Sequence, residues 1–282
     1  MKRNEGIFEG VKGLKIYYQV WTPESPKAVV QFVHGGGAHS GLAPHLVDKL
    51  VSEMYVVFAD DHRGHGKSEG ERIYVDSFDD YIEDEKLLHD IIKNQYPSLP
   101  VFLGGLSLGS IIAFHFASKY EDLLKGLFLT GTLASVKVPL IARVLSSLLA
   151  KIKPHMRIGE PMEVELSSSN PEAIKMLKTD PYYTKVAFTM RFTRELIKAW
   201  YGIAKTAGNL KLPLLVQNGN DDKMVELFNG KNDATAFNET FKMEDKTIKL
   251  YEGVGHDIFN DFEEKRNKIL QDLIDWLNKH LD

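Results

Sequence analysis

Along the first 130 residues the apolar positions switch between two periods. "LKIYYQV" (14–20) alternates, with Leu14, Ile16, Tyr18 and Val20 on one face of a predicted strand. "AVVQFVH" (28–34) and "YVVFAD" (55–60) are continuous apolar runs, the pattern of strands covered on both faces. Residues 44–53 read as helix. After Ser77, an N-cap candidate, Phe78, Tyr81, Ile82, Leu88, Ile91 and Ile92 recur at helical spacing up to Pro97. "PVFLGG" (100–105), a helical stretch at 108–120 and "KGLFLTG" (125–131) continue the alternation. Far later come "LPLLVQNG" (212–219), "KTIKLYEG" (246–253) and an amphipathic helix over 262–280. Strands alternating with helices predict an α/β fold, a mainly parallel sheet with helices on both faces.

The stretch from Gly131 to Leu212 interrupts this rhythm. A βαβ crossover takes roughly 30 residues, and this stretch is far longer, with helical segments near 139–153, 171–179 and 184–206. The expected organisation is a core of residues 1–132 and 207–282, with a helical cap, 133–206, inserted over the sheet's edge.

Composition narrows the chemistry. The chain has 282 residues, a net charge of −4 and no cysteine. Disulfides, zinc–cysteine sites, iron–sulfur clusters and cysteine nucleophiles are excluded together. A nucleic-acid binder would carry a basic excess, so no nucleic-acid partner is expected. "MKRNEGIFEG" has no apolar h-region, and no run of 18 apolar residues occurs. A cytoplasmic location is the expectation.

The pattern G-x-S-x-G occurs twice, as "GKSEG" (66–70) and "GLSLG" (105–109). In an open α/β sheet, ligands bind outside the carboxyl ends of strands. A nucleophilic serine there leaves a strand, turns sharply and enters a helix. Ser107 meets each condition. Ser68 does not: five residues separate Gly66 from the preceding strand, and no helix follows Gly70. Ser68 is expected to shape a loop.

A serine hydroxyl needs a base, and the base an orienting carboxylate. In this kind of fold they follow in the order serine, acid, histidine. His256, in "GVGHD" after the strand at 246–252, suits the base. His280, near the chain's end, reads as a solvated surface group. The acid should leave the strand at 212–218, where "QNGNDDKMV" offers Asp222, with Asp221 as its rival. Oxyanion donors are expected from the backbone N–H groups of Leu108, at a helix N-terminus, and Gly36, in "HGGG" (34–37). His34 precedes the serine and is expected to brace that loop.

Together, "VHGGGAHSG", "DHRGHGKSEG", "GLSLG", "LPLLVQNGNDD" and "YEGVGHDIFND" resemble the monoacylglycerol lipase and lysophospholipase group of α/β-hydrolases. The resemblance runs from about residue 10 to the end and is weakest over the cap. It implies the α/β-hydrolase fold, and a serine carboxylester hydrolase that works through an acyl-enzyme with no metal or organic cofactor. Ser107, Asp222 and His256 match the triad, and Gly36 with Leu108 the oxyanion hole. Leu108 and Ser110 replace a common Met and Gly of the elbow. Monoacylglycerols are the first expected substrates; lysophospholipids or short esters come next. A ligand-binding protein without catalysis, and C–C hydrolase or perhydrolase chemistry, are rivals of other classes.

Within the cap, Leu140, Ile141, Val144, Leu145 and Leu148 share one helical face and are candidates for lining an acyl tunnel. Tyr182, Tyr183, Phe188 and Phe192 are further candidates. Residues 133–158 hold five Lys or Arg and no Asp or Glu. A basic amphipathic helix can rest on an anionic lipid surface, so peripheral lipid contact through the cap is a second expectation. A helix packed by its apolar face on the core is the plainer reading. The sequence sets no oligomeric state.

Overall fold

The continuous apolar runs become strands whose alternate side chains enter two different cores. The computed structural model describes residues 1–224 and 230–281. Its main sheet contains β1 (Lys2–Glu9), β2 (Lys15–Thr22), β3 (Ala28–Val33), β4 (Tyr55–Asp60), β5 (Val101–Leu106), β6 (Gly126–Thr130), β7 (Leu214–Gly219) and β8 (Lys246–Tyr251). The order across it is β1-β2-β4-β3-β5-β6-β7-β8. From β4 to β8 all neighbours are parallel, and β2 runs antiparallel to both β1 and β4.

Helices cover both faces. They are α1 (Pro44–Ser52), α2 (Phe78–Gln95), α3 (Leu108–Tyr120), α4 (Leu140–Ile152), α5 (Pro171–Thr179), α6 (Met190–Thr206), α7 (Ala234–Thr240) and α8 (Glu263–Lys279). On one face Leu103, Leu127, Leu129 and Val216 share a core with Ile112 and Phe116 of α3 and Ile203 of α6. On the other, Val30, Phe102, Phe128 and Leu215 share one with Leu46 of α1 and Leu273 of α8. Each such side chain contributes roughly 1.5–3 kcal/mol by leaving water. The strand ends that carry the site are therefore held firmly. This is the α/β-hydrolase arrangement.

Two local expectations are corrected, and a third, the N-cap at Ser77, holds in position only. The alternation in 14–20 does not mark a solvent face, because β2 lies between two strands and Ile16, Tyr17, Gln19 and Val20 are all buried. Gln19 is accommodated by donating to Ser40 Oγ at 2.6 Å. Ser77 sits at the N-cap of α2 but makes no side-chain cap bond; the Phe78 N–H donates instead to Glu195 of α6 at 3.3 Å. His280 is buried, its ring nitrogens 2.7 Å from Trp276 O and 3.1 Å from Asp245 Oδ2. Strand β1 had no apolar signal; it is an exposed edge carrying Lys, Arg and Glu, residues that discourage further pairing.

Between β6 and β7 the chain builds α4, α5 and α6. Helix α4 packs on α6 through a narrow face, burying only Ser146 and Ala150. The Arg143 guanidinium lies 4.3 Å from the Tyr201 ring centre of α6. The apolar stripe of α4 faces outward: Leu140, Ile141, Val144, Leu145 and Leu148 are 70, 75, 58, 51 and 52% exposed. The plainer reading of this helix, apolar face on the core, is thus reversed: small residues give the close contact, and large ones remain in solvent. No helix among the described residues is long and apolar enough to cross a membrane.

Candidate active site

Ser107 joins β5 directly to α3 with φ +56° and ψ −117°. A non-glycine residue rarely adopts positive φ, and holding one there costs on the order of 1–3 kcal/mol. The flanking glycines make the turn possible by absence of side chain. A Cβ on Gly105 would lie 2.2 Å from Gly109 O, and one on Gly109 would lie 2.0 Å from Val33 O. Helix α3 can therefore press its first turn against β5 and the end of β3. The turn is closed by Ser107 N–H donating to Thr130 O at 2.9 Å, and by Ser110, whose Oγ donates to Ser107 O at 2.7 Å.

His256 follows β8, and Asp222 follows β7. The His256 Nδ1–H donates to Asp222 Oδ2 at 2.7 Å. Asp222 Oδ1 accepts from the Met224 N–H at 2.9 Å, which fixes the carboxylate plane. The rival Asp221 is 48% exposed and pairs with Lys223 at 2.8 Å, whereas the Asp222 side chain is fully buried. His256 Nε2 is buried with no hydrogen-bond partner among the described residues. With Nδ1 donating, Nε2 is the basic nitrogen. Gly131, at φ +54°, abuts this ring: a Cβ there would lie 2.9 Å from His256 Cε1. Sequence reasoning missed that position; a glycine directly after a strand, opposite the elbow, was its only signal.

Two cavities meet at Ser107. Ser107, His256, Gly36, Met162 and Met224 line both. The first is walled by Leu108, Ile111, Leu133, Phe192, Leu196 and Trp200. The second adds polar groups: His39, Glu163, Ser167, Tyr183 and Asp257. Burial pushes the Asp257 carboxyl above the usual range, opposed by a hydrogen bond from Asn260. Phe188 and Phe192 line the first cavity and Tyr183 the second; Tyr182 is largely exposed. Leu140, Ile141, Val144, Leu145 and Leu148 line neither. The expected acyl tunnel through α4 is corrected accordingly: its apolar stripe points away from the serine. Phe192, Leu196 and Trp200 of α6 line the first cavity instead. Phe192 was already a candidate; Leu196, four residues on along the same helical face, was the signal not used.

Gly36 and Leu108 border the same cavity as Ser107. Leu108 is the first residue of α3, where backbone N–H groups lack intrahelical acceptors. His34 is turned into its own loop, with Nδ1–H donating to Gly35 O at 2.8 Å. Ser68 Oγ is fully used, accepting from the Tyr17 N–H at 2.8 Å and donating to Asp61 O.

Comparison with known proteins places the chain in a family. The chain is 30% identical over 282 residues to the monoacylglycerol lipase of Mycolicibacterium smegmatis, covering 99% of this chain and 98% of that one. It is 30% identical over 272 residues to the monoglyceride lipase of Homo sapiens, covering 95% and 88%. The crystal structure of Paleococcus ferrophilus monoacylglycerol lipase superposes with a TM-score of 0.78 at 26% identity, covering 99% of this chain and 100% of the other. Residues 24–263 match the hydrolase family described as Serine aminopeptidase, S33. The chain belongs to that family, and it is a carboxylester hydrolase of the serine type.

Proposed function

We propose that the protein cleaves monoacylglycerols through an acyl-enzyme on Ser107. One observation carries the reading: His256 is bonded to Asp222 through Nδ1 at 2.7 Å, while its unpartnered Nε2 belongs to a ring bordering the cavities that also contain Ser107. Ser107 Oγ attacks the ester carbonyl as His256 Nε2 takes its proton. Asp222 holds the ring and offsets the imidazolium charge. The Gly36 and Leu108 N–H groups stabilise the tetrahedral oxyanion. His256 then returns the proton to the departing glycerol oxygen. Water, deprotonated by the same nitrogen, attacks the acyl-enzyme; the fatty acid leaves and Ser107 regains its proton.

The apolar first cavity suits the acyl chain, and the second, with Glu163 and Asp257, suits a polyol. Monoacylglycerol fits this division better than a short ester, which would leave the apolar wall unused. Residues 133–206 act in this reading as a cap on a core of 1–132 and 207–282. The stripe of α4, more than half exposed, and the five basic residues of 133–158 support peripheral contact with an anionic lipid surface. The lack of cysteine is in keeping with a cytoplasmic setting.

Rates on a series of acylglycerols, nitrophenyl esters and lysophosphatidylcholine test the substrate. Long-chain monoacylglycerols should have the highest kcat/KM; fast acetate esters with inert glycerides would reduce the protein to a small esterase. Flotation with vesicles tests the surface. Binding should need anionic lipid and should fall on Leu140→Ser/Ile141→Ser/Leu145→Ser; equal recovery of that variant would remove α4 from the contact.

A further inference from the structure

Beneath the 34–37 loop lies a buried set of ionisable groups that the reaction does not use: His34, Asp60, His62, His65 and Glu85. His62 Nδ1 lies 3.2 Å from each Asp60 oxygen and 3.5 Å from Glu85 Oε1. Its Nε2 lies 3.1 Å from the carbonyl oxygen of His34. A carbonyl can only accept, and a carboxylate can only accept. Both ring nitrogens of His62 therefore face acceptors, and each bond forms only if its nitrogen carries a proton.

The neighbouring contacts define the rest of the set. The His62 backbone N–H donates to His34 Nε2 at 3.0 Å, so His34 is neutral with its proton on Nδ1. That Nδ1–H donates to Gly35 O at 2.8 Å. Gly35 C=O and Gly36 N–H belong to one rigid peptide plane, so the imidazole of His34 sets the direction of Gly36 N–H. The two rings stack at 3.7 Å. His34 and His62 thus hold both peptide planes of the loop, one through each carbonyl.

We propose that His62 is a charged positioning residue, a buried imidazolium whose two N–H groups tie the Asp60 carboxylate to the His34 carbonyl and so aim Gly36 N–H at the oxyanion. Among the described residues, Asp60 Oδ1 and Glu85 Oε1 accept no hydrogen bond, and one proton held by Glu85 and shared with Asp60 satisfies both. Burial and the Asp60 charge push the Glu85 carboxyl well above its usual range. Burial is the largest influence and opposes a charge on His62, but the charge and hydrogen bond of Asp60, the His34 carbonyl and the Asp61 charge together raise the imidazole. The set is then neutral overall: His62 positive, Asp60 negative, Glu85 and His34 uncharged. The rival distribution moves the His62 proton to Asp60. It is disfavoured because an imidazole, with an ordinary pKa of about 6.5, is a far stronger base than an aspartate at about 3.9.

The effect on catalysis rests on the assignment of Gly36 to the oxyanion site; the protonation of His62 does not. Long-range 1H–15N spectra of histidine-labelled wild-type enzyme at pH 7.5 test the latter directly. One buried histidine, in contact with the Tyr81 ring 5.8 Å away, should carry protons on both nitrogens. A single bare nitrogen on that ring would overturn the proposal. So would a stoichiometric metal ion in the purified protein whose removal by a chelator shifts the His62 signals. His62→Gln tests the consequence: kcat should fall roughly 10- to 100-fold, less than the loss of a whole oxyanion donor, with KM within about threefold. Inhibition by a tetrahedral boronate should weaken by the same factor. A folded variant with lower thermal stability but wild-type kcat and boronate affinity would reduce His62 to a structural role and sink the positioning claim. Should the variant not fold, the spectra of the wild type decide. Ester hydrolysis surviving in Ser107→Ala would end the site assignment yet leave the His62 spectrum as expected.

Discussion

At 105–109 and at 66–70 a serine stands two residues after one glycine and two before another, and the backbone treats the two serines differently. Ser107 is forced to φ +56° between a strand and a helix; in the loop around Ser68 the positive φ angles fall on Gly64, Gly66 and Gly70, and the serine itself has none. The glycines are sterically required in both places, for different reasons. Gly105 and Gly109 let backbone meet backbone. Gly66 makes room for a side chain: its Cβ would fall 2.1 Å from Asp61 Oδ2. That oxygen accepts from the Lys67 N–H at 2.8 Å, while Oδ1 accepts from the Ser40 N–H at 2.8 Å. One pentapeptide exposes its hydroxyl to a cavity; the other spends it on fastening a loop. The five-letter pattern reports crowding, and the chemistry comes from what adjoins it.

The sharpest way to break this contrast is to remove each hydroxyl. Ser107→Ala should lower kcat by on the order of 10⁴- to 10⁶-fold, with stability nearly unchanged. Asp222→Asn should cost about 10⁴-fold, as loss of the orienting carboxylate does in a serine triad, while Asp221→Asn should leave kcat alone. Steady-state rates with one monoacylglycerol measure all three. Comparable losses at Asp221 and Asp222 would undo the choice between them.

Gly109→Ala probes the elbow's geometry. With 2.0 Å to Val33 O and 2.5 Å to His34 O, the methyl group can fit only by shifting α3. Overpacking of that kind costs about 1–3 kcal/mol or more, and misplacing Ser107 should lower kcat about 100-fold. Unchanged melting and unchanged kcat would show the close approach to be unnecessary. Ser68→Ala should reverse the balance of effects: kcat within about threefold, but stability lower by roughly 1–3 kcal/mol, because the buried Tyr17 N–H loses its acceptor.

How much of this was legible differs between the core and the insertion. In the core, strand ends fix position, so order along the chain was enough to nominate Ser107, Asp222 and His256. The 2.7 Å bond between the last two joins residues 34 apart through adjacent parallel strands. The insertion lacks such a frame. Its helices were found from periodicity, yet periodicity says only that α4 has an apolar side, not which way that side turns. Ser146 and Ala150, small enough for close approach to α6, decided the direction. A pattern of hydrophobicity gave them no weight. The buried histidines of 34, 62 and 65 were equally hidden, since a polar residue in a glycine-rich loop reads as exposed until the loop is seen to be covered.

His65, one residue before the 66–70 pentapeptide, offers the mildest test of that hidden burial. Burial, then the charge on His62, pushes its imidazole down to about 3. Its Nδ1–H donates to Arg63 O at 3.1 Å, and the ring is fully covered. In the unfolded chain the same group takes up a proton near pH 6.5. Between about pH 6.5 and 3 the unfolded state therefore binds a proton that the native state refuses, and stability falls as pH falls, by at most about 1.4 kcal/mol per pH unit. Above pH 6.5 both states are neutral and the contribution is flat. His65→Asn should remove this slope. Urea midpoints of the two proteins, compared at pH 7.5 and 4.5, should converge or cross by about 2–3 kcal/mol in favour of the variant at the lower pH. The carboxylates shared by both proteins cancel in that difference. Midpoints that move in parallel would mean that the native state accepts the proton at residue 65, and that the loop around Ser68 opens to water as readily as the elbow around Ser107 opens to substrate.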